Sequence, residues 1–523
     1  TDQYRILNAE TFVDSFLGIG ENKVNNYYTF LGHPKPDNVT VSNYGDSNWK
    51  NFVPNPIDTF QQENFYYDSM LFLKKVTSDD VRRVVPRLDW QTGTKYEMYK
   101  HNYSNDNLTP FTKSTSLYGS NYFVVNSEFN VYLCINNGAD SENLEGRASE
   151  YEPIHTDLVP QPAGDDGYLW KYLYTISPTD IVKFVTSTYI PLPKKWGDVS
   201  TATIKNAAVD GKIETIVIKN GGTGFLVKDA ITGEFGKAGS VTFPIAGDGT
   251  GSATVEITNG SVSKVTVTGA SGFTFASLVL YDIEDFVKGS GEEFEVIIPP
   301  KGGHGADIYR ELGGFRVMIY SRYDNNVDES SDYIIDNDFS RVGLVKNPLQ
   351  FGGTDLLNNT TATNLGALKL KPSANSGIST NNVTYQTNTL ITQTVGSGLT
   401  AAALVASWDK DTGILKYYQP VGLSTESSYS YKKLDFDENA QDLTIEGEGI
   451  TENLIIDQNF GNPDATSSIT VGGRSVDLGQ SFSKGKANPD VKKYSGEIIY
   501  IDNRAPISRT SSQKEEVKIV IEF

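Results

Sequence analysis

The sequence predicts a mostly β protein with minor α+β character: a multi-domain, β-sandwich-like body with inserted small β modules and a few short helices. Three observations lead there. Segments rich in β-branched and aromatic residues recur between Gly, Asn, Asp and Pro. Helix-period patterns are scarce. Tyr (29) and Phe (25) far outnumber Met (3), a balance that suits sheet cores and excludes a disordered chain. At roughly 150 residues per domain, 523 residues correspond to about three to four domains, or to one body with large insertions.

In chain order, Asn8 is placed to cap a helix whose Phe12, Val13, Phe16 and Leu17 share one face, with Gly18 as its stop. Ser78-Asp79-Asp80 before Val81, Val84 and Val85 predicts a second short helix, its carboxylates at the positive end and Pro86 closing it. Ser177-Pro178-Thr179-Asp180 predicts a third, with Pro at the first helical position. Strands are predicted over Ile213 to Ile218, Val262 to Val267, Phe315 to Tyr320, Glu497 to Ile501 and Val517 to Phe523. In the last of these Val517, Ile519, Ile521 and Phe523 alternate onto one face.

Composition changes twice along the chain. Residues 201–285 replace Tyr, Asn and Pro by Gly, Thr, Ser and Val, and contain a repeat. Ala202-Thr203-Ile204, Ile213, Ile216, Ile218, Gly224 and Phe225 reappear as Ala253-Thr254-Val255, Val262, Val265, Val267, Gly272 and Phe273. Two copies of a strand-turn-strand-turn unit follow, with turns at Asp210-Gly211 and Gly221-Gly222. A second shift covers 356–485. It opens in Asn358-Asn359-Thr360-Thr361 and holds a hairpin in which Leu404, Val405 and Trp408 lead through Asp409-Lys410-Asp411-Thr412-Gly413 to Ile414-Leu415-Lys416-Tyr417-Tyr418. Ser424 to Ser430 and Asn462 to Ser468 read as loops. The predicted organisation is a body over 1–200, a β-repeat module over 201–285, body again over 286–355, a β-rich insertion over 356–485, and closing strands over 486–523.

Chemistry is harder to find. With 45 Lys and Arg against 65 Asp and Glu, the net charge is −20, which repels nucleic acid and anionic lipid; the pairs Arg82-Arg83 and Lys194-Lys195 make no basic patch. The apolar run Ala401 to Ala406 is too short to span a bilayer. The opening residues lack a secretory pattern, so a cytoplasmic site of synthesis is expected. The single cysteine, Cys134, excludes an intrachain disulfide and reads as a buried thiol. His33, His101, His155 and His304 have no metal-binding spacing and read as surface or hydrogen-bonding loop residues. No Gly-x-Ser-x-Gly elbow or phosphate loop occurs; Gly247-Asp248-Gly249-Thr250-Gly251 and Gly396-Ser397-Gly398 read as turns. The acidic run Asp324, Asp328, Glu329, Asp332, Asp336 and Asp338 fails the calcium-loop template, with Glu329 where Gly belongs and Ile335 where Glu belongs. Abundant carboxylates make any single glycosidase pair uninformative. The surplus of aromatics and the Gly-rich module leave open a receptor- or carbohydrate-binding protein as the alternative to a scaffold.

What remains is a set of rigid motifs: Val85-Pro86-Arg87-Leu88-Asp89-Trp90, Asp166-Gly167-Tyr168-Leu169-Trp170-Lys171-Tyr172-Leu173, Phe339 to Leu349 ending in Asn347-Pro348-Leu349, and Ser495-Gly496-Glu497-Ile498-Ile499-Tyr500-Ile501-Asp502-Asn503-Arg504-Ala505-Pro506-Ile507. In identity and order these resemble the baseplate wedge subunit of T-even-type contractile-tailed bacteriophages, the wedge protein that forms a dimer in each wedge. The resemblance covers about 1–200, 300–355 and 486–523, so the chain looks like a member enlarged by two insertions. It implies a non-enzymatic virion protein of the tail baseplate, without cofactor or metal. The implied partners are a second copy, the core wedge chains and the peripheral fibre-bearing components. From the residues themselves, Arg87 and Asp89 are close enough to pair or to hold neighbouring turns, and Trp90 and Trp170 are large anchors. Asn503-Arg504-Ala505-Pro506 reads as a turn between two strands, with Arg504 able to grip a carboxylate or carbonyls. Pro86, Asp166, Gly167, Tyr168, Asn347, Pro348, Gly496 and Tyr500 complete the structural or interface candidates.

Overall fold

A computed structural model describes residues 2–17, 25–33, 53, 55–140, 142–324, 338–373, 379–387, 389–395, 399–419, 435–437, 446–447, 454–508 and 513–523. The protein is mostly β, 45% strand against 11% helix, so burial is organised by sheets. Two compact units divide it: Thr1–Val13, Val81–Met318 and Val520–Phe523 form one, and Asp14–Asp80 with Ile319–Ile519 form the other. Among the described residues no helix is long and apolar enough to cross a membrane.

The first unit is built on an antiparallel sheet in which Asn130–Asn137 lies between Phe123–Val125 and Tyr168–Thr175, with Gln161–Pro162 on the outer side of the latter. The run Val131 to Ile135 is buried throughout, as expected of a strand covered on both faces. Cys134 is fully buried in it, opposite Trp170, and burial pushes its thiol well above the usual range. The tight turn before this strand rests on Asn126, whose Oδ1 accepts from the backbone N–H of Glu128 (3.0 Å) and Asn130 (2.9 Å). The helix Pro178–Phe184 forms as its sequence predicts: Ser177 Oγ accepts from Asp180 N at 3.2 Å, and Pro178 stands where its missing N–H is not needed.

A separate apolar cluster in this unit runs from Ile213 to Val296. Its antiparallel sheet contains Gly239–Pro244, Thr250–Thr258 and Ser261–Ser271, and Ile216–Thr223 pairs with Ser290–Val296. The repeat is half realised. Gly224 and Gly272 both adopt positive φ (84° and 75°) and are followed by the buried Phe225 and Phe273. Ala202-Thr203-Ile204 instead begins the short helix Ala202–Asn206, whereas Ala253-Thr254-Val255 lies inside a strand. Asp198 explains the difference, since its Oδ1 accepts from the N–H of Ser200 and Thr201 and turns the chain before Ala202. Gly221-Gly222 lies at the irregular end of a strand instead of in a free turn.

The second unit holds a five-stranded antiparallel sheet in the order Thr361–Thr363, Met70–Val76, Tyr27–Gly32, Asp338–Lys346, Glu497–Ser508. Tyr28, Phe30, Leu73, Val345 and Leu357 are at its core. A second sheet is centred on Leu390–Val395, Leu399–Asp409, Ile414–Tyr418 and Gly366–Pro372. The predicted hairpin at its middle is present. Gly413 takes φ 66°, and Asp409 locks the turn by accepting from Asp411 N (2.9 Å) and Thr412 Oγ1 (2.7 Å). The segment Asn462 to Ser468, read as a loop, already enters a strand at Thr466 and forms the ribbon Thr466–Val471 with Arg474–Phe482 around Gly472-Gly473.

Two helix predictions need correction. The first helix is Asp2–Leu17, so Asn8 is an interior residue and not a cap. Ile6, Ala9, Val13 and Phe16 form its buried stripe, extending the apolar period a turn and a half further toward the N-terminus than the aromatics alone indicate. Ser78–Asp80 is a single 3₁₀ turn, and Val81–Pro86 is a strand whose first five residues are buried. A strand buried on both faces reads as a continuous apolar run, which Arg82 and Arg83 disguise. Both are buried, Arg82 beside Asp180 at 2.9 Å and Arg83 over the Tyr309 ring at 4.0 Å. Gly18, Ser424 to Ser430, Gly396-Ser397-Gly398 and the acidic run from Asp328 to Asp336 lie outside the described residues.

Candidate functional site

The motif residues gather at two places, one in each unit. In the first, Pro86 ends its strand opposite Tyr189, and the chain leaves through Arg87, whose Nε donates to both Asp89 oxygens (2.9 and 3.1 Å) and whose Nη1 donates to Thr186 O (3.1 Å). The Arg87–Asp89 pairing expected from spacing is therefore present. Asp89 bridges to Val125, and Trp90 donates its indole N–H to Ser149 Oγ at 3.0 Å while packing on the aromatic core.

Asp166 works beside them. One carboxylate oxygen accepts from Glu150 N (2.9 Å) and the other from Tyr168 N (3.0 Å), with Gly167 between them at φ 90°. A Cβ on Gly167 would stand 3.0 Å from Gly138 Cα, so a side chain is excluded by both space and dihedral. Tyr168 donates to Arg147 O (2.7 Å) and accepts from Tyr96 N (2.9 Å). Its ring stacks on the fully buried Trp170, centroids 5.3 Å apart, and Tyr96 meets both rings edge-on. Burial raises the hydroxyl pKa of Tyr96 and Tyr168, keeping both phenols neutral donors.

In the second unit Asn347 adopts φ 53°. Its Oδ1 accepts from Asn26 N (2.8 Å) and its Nδ2 donates to Asn25 Oδ1 (2.8 Å). Pro348 lies against Gly496: at φ 84°, a Cβ there would stand 2.8 Å from Lys346 O and 2.9 Å from Pro348 N. Ser495 Oγ accepts from Leu349 N (2.9 Å), so two motifs almost 150 residues apart meet in one knot. Tyr67 donates to Gly496 O at 2.7 Å, and its phenol is pushed up to about 12, chiefly by burial.

The turn expected at Asn503-Arg504-Ala505-Pro506 is not one. These residues belong to the 12-residue strand Glu497–Ser508. Its register against the neighbouring strand jumps from Asn503 opposite Arg341 to Ile507 opposite Phe339, so residues 504–506 bulge. Turn-forming composition is spent on the bulge: Pro506 has no N–H to offer a ladder, and an edge-strand bulge needs none there. Arg504 does grip a carboxylate, that of Asp502 at 2.7 Å. Tyr500 faces out, 36% exposed, beside the exposed Ile499 and Ile507. Asn503 has a role the sequence did not reveal. Its Oδ1 accepts from Nε of Arg341 (2.9 Å), a buried arginine that also donates to Ser69 Oγ (2.7 Å) and lies over the Tyr66 ring. The missed signal is an Arg among β-branched residues in a central strand.

Two histidines are buried instead of at the surface, though His304 makes the expected hydrogen bond. His33 is fully buried and stacks on Tyr418 with centroids 4.7 Å apart; desolvation lowers its pKa to about 3. His304 is buried with Nδ1 2.5 Å from Glu311 Oε1. His101 accepts from Ile298 N at 3.2 Å, as a hydrogen-bonding loop residue should. His155 is half-buried, edge-on to Tyr132. Seven of the early aromatics, Tyr96, Tyr99, Tyr122, Tyr132, Tyr168, Trp170 and Tyr174, are core residues. Among the described residues no group of three His, Cys, Asp or Glu side chains is placed to hold a metal ion. At both places the arrangement satisfies backbone groups and fixes distant loops. No family model and no curated protein matches the chain.

Proposed function

We propose that the chain is a structural virion protein, a baseplate wedge component of a contractile phage tail. In this reading it acts as a homodimer that links core wedge chains to the peripheral fibre-bearing parts, and moves as a body when the baseplate rearranges. The observation that carries it is the block Ser495 to Ile507, the most specific of the family-like motifs. Its Gly496 and Asn503 lock neighbouring strands, while Ile499, Tyr500 and Ile507 remain at the surface. A residue set that combines internal locking with outward apolar groups suits a part whose work is to hold neighbours. A specific observation also favours the alternative, a receptor- or carbohydrate-binding role for the inserted module, which exposes Ile231, Phe275 and Tyr281.

Obligate interfaces bury roughly 2,000 Å² or more. Sedimentation of the purified chain is therefore expected to give a dimer that survives dilution from micromolar to nanomolar concentration. A monomer at micromolar concentration overturns the dimer. Side-chain-resolution imaging of intact tails that finds the chain outside the end plate overturns the baseplate assignment.

A further inference from the structure

In the second unit a cleft of about 310 Å³ opens beside the edge strand Thr361–Thr363, with Lys416 on one wall and the ribbon Thr466–Val471/Arg474–Phe482 on another. Every residue lining it is polar or glycine, and the charged groups among them are Lys416, Asp477 and Asp490. Its volume is at the lower end of small-molecule sites, roughly 300–1,000 Å³.

Two wall residues are short of donors. Gln480 is 4% exposed, and its Nε2 donates to Leu365 O (2.8 Å) and Asn488 O (3.1 Å). Those two bonds fix which way the amide faces and leave Oε1 without a donor among the described residues. That oxygen is enclosed by the protein, so a molecule in the cleft does not reach it. Asp490 accepts from Thr363 N at 2.9 Å through Oδ2 alone. Burial raises its carboxyl pKa, with the nearby Lys416 opposing the shift.

The rest follows by charge and polarity. An apolar ligand finds no apolar wall. Two carboxylates against one ammonium disfavour an anion, and Lys416 beside Asp490 disfavours a metal cation. We propose that this cleft binds a neutral, hydroxyl-rich ligand, a single sugar ring or a polyol of similar size, whose hydroxyls donate to Asp490 and accept from Lys416. The site is independent of the wedge assignment and lies outside the 201–285 module.

The test uses the full chain and ligand-observed saturation-transfer NMR with glucose, galactose, N-acetylglucosamine and glycerol at millimolar concentration. Saturable transfer from at least one is expected. Asp490→Asn keeps an acceptor for Thr363 N and is expected to weaken binding about tenfold. Ser481→Trp, at an exposed position of the wall, is expected to fill the cleft and abolish transfer while the circular dichroism spectrum stays unchanged. Tighter binding of a matching oligosaccharide assigns the ligand to a glycan chain, and equal binding assigns it to a free sugar. No saturable transfer from any of the four probes, or transfer undiminished in both variants, overturns the proposal.

Discussion

Gly496 and Tyr168 do the same job by opposite means. Tyr168 ties Arg147 O and Tyr96 N through one hydroxyl, whereas Gly496 allows Lys346 O and Pro348 N to approach because it lacks a Cβ. The tyrosine pattern is general: Tyr28, Tyr122, Tyr132 and Tyr174 each donate to a backbone carbonyl, of Asn359, Glu311, His155 and Pro191 respectively. A buried ring with a hydrogen-bonded hydroxyl contributes apolar area and satisfies a loop carbonyl that water cannot reach. For Gly496→Ala, the positive φ and the clash add, and a loss of about 2–3 kcal/mol is expected in chemical denaturation. Gly472 has a similar φ of 56° with nothing within 4 Å, so Gly472→Ala is expected to lose only about 1 kcal/mol. Equal losses would show that the knot with Pro348 contributes nothing.

Among the elements, Glu497–Ser508 is the most exposed long strand, an edge blunted by the 504–506 bulge, Pro506 and the Asp502–Arg504 pair. Those features disfavour a continuous ladder with another chain and leave Ile499, Tyr500 and Ile507 to act through their side chains. The root of the 213–296 segment is held differently. Lys171 Nζ, on a core strand, is 3.5 Å from Glu214 Oε1, both side chains nearly inaccessible, and Asn136 Nδ2 donates to Thr215 Oγ1 at 2.9 Å. On the returning strand Lys100 meets Glu295 at 2.8 Å. Removing Lys171 leaves Glu214 with Lys212 as its remaining cation, so Lys171→Met is expected to destabilise by up to about 3 kcal/mol, with Lys171→Met/Glu214→Met recovering most of it. The half-exposed Lys212, 3.4 Å from Glu214, sets the residual penalty of the single variant. Denaturant midpoints of the two variants check this; a double variant no more stable than the single one would mean that the pair does not act as a unit.

For the whole molecule, net charge and buried titratable groups set how stability responds to pH. His33 binds no proton in the folded second unit until pH falls to about 3, whereas in the unfolded chain it titrates near 6.5. Between those values the unfolded state holds more protons, so the His33 contribution is fully present above about pH 6.5 and is lost as pH falls. The slope from this one group is at most about 1.4 kcal/mol per pH unit. Unfolding free energies measured from pH 7 to pH 4 are expected to fall less steeply in His33→Gln than in the native chain. Parallel curves would remove His33 from the acid response.

Much of this was legible beforehand, and the misses are physical. Ser177-Pro178, the Asp409 to Gly413 turn and the burial of Cys134 were readable because each is set within a few residues by capping, turn chemistry or apolar run. Arg82-Arg83 hid a buried strand, and Asn503 to Pro506 hid a bulge, because the partners that make them tolerable, Asp180, Tyr309 and the strand of Arg341, are far away in sequence. By itself the sequence determined a mostly β chain with local caps and turns, since those depend on dihedral preferences and short-range hydrogen bonds. Tertiary structure alone decided which motifs meet, that Tyr96, Tyr168 and Trp170 share one core, and that a polar cleft exists beside Asp490, because such facts depend on which distant strands share a sheet.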